Sequence, residues 1–278
     1  MKPFIIYTYP FSFGIGGVVV LHKLCDLLNS LGQKAYIFPE PFPGQTEPFF
    51  LLNESYNTPI ITQEILSDIN NCIVIYPEVI RGNPLNAKNV VRWLLNRSDI
   101  YEDSYGPNDL IFYHSKLFYS QKLKNENNLL TIMEYHSEIF KDYNLKRKGS
   151  CYAIRKCENP KFIHPPNSIE IKWNDAGNYE LLIHLFNTTD TFYSYDDTTF
   201  LSVQAAMCGC TSIIVPSKYT KNEWTEKSPE ICRYGVAYGN IDSEIAHANS
   251  TRKILLDKIQ EYKNNTTEIN NFISICQK

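Results

Sequence analysis

Long apolar runs are missing from this chain. No stretch of its 278 residues approaches the roughly 20 apolar residues that a membrane-spanning helix needs. A basic surplus is missing too. The 27 Lys and Arg residues face 30 Asp and Glu, a formal net charge of −3. Dedicated nucleic-acid binders show a basic excess, so the expectation is that nucleic acid is not a partner. The eight cysteines contain no C-x-x-C pair, only Cys208-Gly-Cys210. A zinc site needs about four ligands at suitable spacing, and none can be assembled. No metal is expected. Cys25, Cys72, Cys208 and Cys210 sit in apolar runs as small core residues, which fits reduced thiols in a cytoplasm. The opening MKPFIIYTYPFSFGIGG carries too short an apolar run, and too much Pro and Gly, for a secretory signal. A cytoplasmic protein is the expectation. The dinucleotide fingerprint G-x-G-x-x-G is also lacking: GIGG at 14–17 is followed by Val19 where the third glycine belongs. That disfavours an oxidoreductase or epimerase using a nicotinamide, although Glu40 stands where such enzymes hold ribose.

What is present is alternation. FIIYT (4–8) reads as a buried strand. Leu21, Leu24, Cys25 and Leu28 then fall at i, i+3, i+4 and i+7, predicting a helix over 18–31 closed by Gly32. KAYIF (34–38) is the next strand, completing a βαβ unit. Residues 39–59 form a Pro-rich aromatic loop of the kind that shapes sites. ITQEILSDI reads as a short helix, CIVIYPE (72–78) as a buried strand, RGNPLNAKNVVRWLLN (81–96) as a turn and helix, and DLIFYHS and LLTIME as strands. Charge and Gly149 break the rhythm over 139–150. KDYNLKRK (141–148) is the one dense basic run, either a solvated linker or a contact for an anionic surface or phosphate. The second half restarts with SCYAIRK, a helix at 179–186, TFYSY, a helix at 200–208, TSIIVP, GVAYG and a long helix at 245–262. The expected architecture is α/β: two Rossmann-like domains facing across a cleft, 1–145 and 146–278. Ligands in such sheets bind at the carboxyl ends of the strands.

The stretch YDDTTFLSVQAAMCGCTSIIVP (195–216) carries the most chemistry. Asp196, Asp197, Thr198 and Thr199 lie between a strand and a helix. Helix capping alone accounts for one such residue. Free amides at a helix start, with two threonine hydroxyls, also make a diphosphate cradle. Gln204 lies about 9 Å along the axis from Thr198, at about 1.5 Å per residue. That spacing suits a ribose beyond a diphosphate, and a core-facing Gln otherwise needs a partner. Arg155 and Lys156 end the first strand of the second half. They are either a solvated strand end or the cations that neutralise a departing diphosphate. Gly16 and Gly17 are either a tight turn or a loop that admits phosphate to helix-start amides.

In this order and spacing the residues resemble the GT-B glycosyltransferases, which move a sugar from a nucleotide diphosphate to an acceptor. The donor-side pattern is an acid after a strand, a hydroxyl-rich helix start, and an acid eight positions on. Here these positions are Asp196, Thr198 and Thr199, and Gln204, so the acid is replaced by an amide. GGVVVLHKLCDLLNSLGQKAYIF resembles the family's first βα unit. IVIYPEVIRGNPLNAKNVVRWLLN is similar to bacterial surface-polysaccharide transferases, including rhamnosyltransferase-like members. The resemblance implies a donor site of Arg155, Lys156, Asp196, Asp197, Thr198, Thr199 and Gln204, with no cofactor and no metal. It implies an acceptor, a glycan or lipid-linked glycan, touching Arg81, Asn83 and the 39–59 loop, and peripheral contact with an inner membrane. An inverting enzyme needs a general base. Glu78, after the YP of its strand, is the first choice, with His22, Glu40, His114 and His136 as rivals. A module that binds nucleotide sugar or glycan without transfer is the alternative.

Overall fold

The computed structural model describes residues 1–44, 50–123, 127–264 and 266–278. Two units divide the chain, and each is built on one parallel sheet. Unit 1 comprises Met1–Ser12, Gly17–Glu134 and Thr266–Lys278, and unit 2 comprises Phe13–Gly16 and Tyr135–Asn265. Unit 2 thus takes over before the expected division at 145/146, and the last segment returns to unit 1, which a linear division does not contain.

In unit 1 the elements are β1 (Phe4–Thr8), α1 (Gly16–Ser30), β2 (Ala35–Pro39), α2 (Gln63–Ser67), β3 (Ile73–Pro77), β4 (Asn89–Leu94) and β5 (Leu110–Tyr113). The sheet order is β2-β1-β3-β4-β5, all parallel. The chain steps from β1 to β2 on one side and then to β3 on the other, so the order reverses between β1 and β3. In open α/β sheets that point, at the carboxyl ends, is where ligands bind. β1 and β3 are buried along their whole length, because a parallel sheet covered on both faces leaves no wet side. α1 closes on Gly32 at φ +77°, with the Gln33 amide donating to Leu28 O at 3.0 Å, a left-handed stop that glycine adopts without strain.

The stretch at 81–96, expected as turn and helix, instead forms strand β4. Its apolar pairs, Val90-Val91 and Trp93-Leu94, fit either period. The β-branched pair favours extended backbone, and Arg92 fixes the outcome. Its side chain is fully buried, with Nε 2.7 Å from Asp109 Oδ2 and Nη1 2.8 Å from Ile80 O, and it also donates to Gly82 O. The rings of Tyr76 and Tyr105 lie 4.8 and 4.6 Å from the guanidinium carbon. LLTIME, expected as a strand, contributes only an isolated bridge between Tyr113 and Leu129. The sequence reading passed over α7 (Thr267–Cys276), whose Phe272 packs against Phe4 and Phe112 at 5.9 and 4.8 Å between ring centroids.

His22, a rival for the general base, is 0 % exposed on α1. Nε2 lies 3.0 Å from Tyr9 O, while Nδ1 has no partner among the described residues. Burial lowers its pKa from 6.5 to about 4, with the Tyr9 hydrogen bond opposing part of the shift. The depressed value means that the neutral ring's stability is fully present above pH 6.5. It is lost as pH falls from there through 4. At pH 4.5 the loss amounts to about 2–3 kcal/mol relative to pH 7. Urea unfolding of wild type and His22→Gln at the two pH values checks this: the wild-type advantage should shrink by about that amount.

Unit 2 contains β6 (Ser150–Ile154), β7 (Ile169–Glu170), α3 (Tyr179–Thr188), β8 (Thr191–Tyr195), α4 (Phe200–Met207), β9 (Thr211–Ile214), α5 (Lys221–Lys227), β10 (Val236–Tyr238) and α6 (Asp242–Asn264). The order is β10-β9-β8-β6-β7, again parallel, and it reverses between β6 and β8. α4 ends on Gly209 at φ +91°, where an added Cβ would meet Asp142 Oδ2 and Arg147. The central arginine of the basic run therefore faces inward. Arg147 donates to the carbonyls of Phe186 and Cys208, capping the carboxyl ends of α3 and α4, where a cation meets the negative pole of each helix. No helix among the described residues is long and apolar enough to cross a membrane.

Candidate functional site

Unit 2 gathers its predicted residues at the β6/β8 reversal. Register pairs Ile154 with Tyr195, the last residues of β6 and β8. Arg155 and Asp196 therefore leave adjacent strands at the same edge. Arg155 is half-buried. Nη1 lies 3.1 Å from Trp173 O and Nη2 3.3 Å from Lys172 O, and the guanidinium carbon lies 5.1 Å from the Trp173 ring. Burial lowers its pKa, and the nearby carboxylates of Asp196 and Asp175 oppose that shift. Lys156 next to it is exposed.

Asp196 is buried. Its Oδ1 accepts the Thr198 amide at 2.9 Å and the Thr198 hydroxyl at 3.2 Å. Thr199 is the N-cap of α4, its hydroxyl oxygen accepting the Leu201 amide at 3.3 Å. This satisfies one of the four orphan amides of a helix start. Among the described residues the amides of Thr199 and Phe200 have no acceptor. Gln204 is 3 % exposed, and its side-chain amide makes no hydrogen bond among the described residues. Its amide nitrogen and oxygen are not among the fully enclosed unpartnered atoms, so the group is open to a partner from outside the chain. Asp197 differs: four protein donors occupy its carboxylate.

The remaining predicted residues stand elsewhere. Gly16 groups with unit 2, where a Cβ on it would lie 3.5 Å from the Phe200 ring. Gly17 belongs to unit 1, where a Cβ on it would lie 3.5 Å from Leu95. Glu78, at the β1/β3 reversal of unit 1, is 7 % exposed. Its Oε2 accepts the Leu95 amide at 3.0 Å, and its carbonyl accepts the Tyr105 hydroxyl at 2.7 Å. Glu40 lies at the same edge, after β2, and accepts the Tyr7 hydroxyl at 2.6 Å. Burial, then Glu40, Tyr101 and Glu78, raise the Tyr9 pKa, so these groups converge there. The Asn83 side chain is spent on its own turn: Oδ1 accepts from Tyr76 Oη and the Ala87 amide, both at 3.0 Å, and Nδ2 donates to Ala87 O at 2.8 Å. Arg81 donates to Ile100 O at 3.3 Å and lies over the Tyr101 ring. His114 and His136 are buried. Residues 45–49 of the expected acceptor loop lie outside the described residues. Among the described residues no three His, Cys, Asp or Glu side chains converge on a metal position. Trp173 and Lys218 escaped the sequence reading, since neither belongs to a recognisable spacing.

No protein-family model and no curated protein matches the chain. Solved structures do. An alpha-glucosyltransferase in complex with UDP-glucose and DNA containing an abasic site aligns at TM-score 0.56 and 12% identity over 99% of each chain. An alpha-glucosyltransferase with UDP and a 13-mer DNA containing an HMU base aligns at 0.56 and 13%, also over 99% of each. One in complex with UDP alone aligns at 0.53 and 12% over 100% of each. At such identity the likeness shows the fold: α/β, two parallel five-stranded sheets with helices, the GT-B glycosyltransferase architecture. The exclusion of nucleic acid is corrected by these neighbours, several of which hold DNA. A whole-chain charge near zero averages over the surface and does not decide which local stretch meets a phosphate.

Proposed function

We propose that the chain is a glycosyltransferase that takes its sugar from a nucleotide-diphosphate donor of the UDP type. The observation that carries the reading is the edge at β6/β8: two amides without acceptors at the start of α4, beside the half-buried cation Arg155. The UDP-bound state of the fold's neighbours supports it. As the sugar–oxygen bond breaks, negative charge grows on the diphosphate oxygen. The Thr199 and Phe200 amides, the Thr199 hydroxyl proton, and Arg155 with Lys156 would take up that charge without reorganising. Gln204 would hold ribose hydroxyls. Asp196 keeps Thr198 in place and balances Arg155.

Two acceptor readings follow. The neighbours' complexes favour a hydroxyl on DNA. The likeness of residues 73–96 to surface-polysaccharide transferases favours a glycan. In either, Glu78 would take the acceptor proton if the reaction inverts configuration.

Thermal shift with UDP and uridine, followed by UDP release from UDP-sugars with hydroxymethylated DNA or glycans present, tests the reading. UDP should stabilise the protein and one acceptor class should accelerate UDP release. Glu78→Gln should keep UDP binding and lose turnover by about 10²–10⁴-fold. UDP binding with no transfer or hydrolysis marks a binding module, and no UDP binding removes the reading.

A further inference from the structure

Asp197 was expected to touch the donor, yet it is 3 % exposed and already surrounded by donors. Oδ1 accepts the Ser217 amide at 3.2 Å and the Tyr238 hydroxyl at 2.9 Å. Oδ2 accepts the Ser217 hydroxyl at 2.6 Å and the Lys218 amide at 2.8 Å. Its carbonyl accepts Trp224 Nε1–H at 2.9 Å. The Tyr238 hydroxyl also lies 2.6 Å from Tyr219 O, and burial followed by the Asp197 charge keeps that phenol protonated. Asp197 therefore ties the turn after β8 to three segments: its carboxylate reaches the segment after β9 and β10, and its carbonyl reaches α5. Capping needs none of these long-range bonds.

The segment so tied carries a cation. Lys218 is exposed, and its ammonium group has no hydrogen bond or ion pair among the described residues. Its neighbour Lys221, by contrast, is paired with Glu244. Sheet order sets the geometry. β8 lies between β6 and β9, so Arg155 follows the strand on one side of the Asp196–Thr199 turn and Lys218 follows the strand on the other. A lysine is a compact point charge on a flexible four-carbon stem, and its usefulness to a phosphate depends on where its main chain is held.

We propose that Asp197 is a positioning residue that holds the Lys218 main chain beside the α4 start, and that Lys218 is a further cation for the donor's diphosphate. The inference rests on the donor reading above. UDP and uridine titrations by calorimetry at two salt concentrations test it. Lys218→Ala should weaken UDP about five- to tenfold, leave uridine unchanged and reduce the salt dependence. Asp197→Asn should shift UDP in the same direction, and the double variant should bind as the weaker single one, because the first residue acts through the second. Thr220→Ala breaks the capping box of α5, in which the Thr220 hydroxyl oxygen accepts the Glu223 amide at 3.3 Å and Glu223 Oε2 accepts the Thr220 amide at 3.0 Å, without touching Asp197. It should lower the melting temperature and leave UDP affinity unchanged. Wild-type UDP affinity in Lys218→Ala, or additive losses in the double variant, overturns this inference alone. Absence of UDP binding by the wild type removes the donor reading and this inference together.

Discussion

Arg92→Ala is expected to destabilise the protein by about 3–5 kcal/mol, the cost of breaking a buried ion pair from one side. The loss has three sources in unit 1. Asp109, 2.7 Å from Arg92 Nε, would keep a largely buried charge without its counterion. The carbonyls of Ile80 and Gly82 would each lose a charged donor. The Tyr76 and Tyr105 rings would border a void where the guanidinium now packs. At about 2–4 °C per kcal/mol for a chain of this size, the melting temperature should fall by about 6–20 °C. Arg92→Lys should recover only part of this, since one ammonium cannot serve a carboxylate and two separate carbonyls with a planar fork. Adding Asp109→Asn to Arg92→Ala should restore stability relative to Arg92→Ala alone. Calorimetric melts of the three variants decide it; a drop of under 1 kcal/mol for Arg92→Ala would mean that unit 1 does not lean on this side chain.

The second large effect is on binding. Arg155→Ala with Lys156→Ala should weaken UDP by tenfold to about a hundredfold, the range for lost hydrogen bonds to a charged group at about 1.5–3 kcal/mol. Uridine, which lacks the phosphates, should bind as before. Arg155 should account for most of the loss. It is half-buried and held over Trp173, whereas Lys156 is exposed and its charge is screened by solvent. Calorimetric titration of the double and single variants separates the two contributions. Equal losses for UDP and uridine would place Arg155 against the nucleoside or in the fold, not at the diphosphate.

Much of the sheet was legible because parallel strands are buried on both faces and read as short apolar runs. FIIYT, CIVIYP, TFYSY and TSIIVP all stand as strands. β4 was not legible, because NVVRWL carries a cation where a central strand should be apolar, and its counterion lies 17 residues on. α5 was written in the sequence as Thr220-x-x-Glu223, a capping box that went unread. At the site, the helix start after Tyr195 is a local signal and stands where it was placed. The occupation of Asp197 is not local: its partners come 20, 21, 27 and 41 residues later. Neighbouring aspartates of one type thus read alike, although one caps its own turn and the other fastens three distant segments.

The return of α7 to unit 1 has a temporal consequence. Phe4 and Phe112 are covered by Phe272, and the Lys2 amide meets Gln277 Oε1 at 2.9 Å. Unit 1 is therefore the first to begin synthesis and the last to be completed. At about 5–20 residues per second on the ribosome, it waits roughly ten seconds with part of its core uncovered while unit 2 is made. Nascent-chain hazard for this protein is thus concentrated in its opening half.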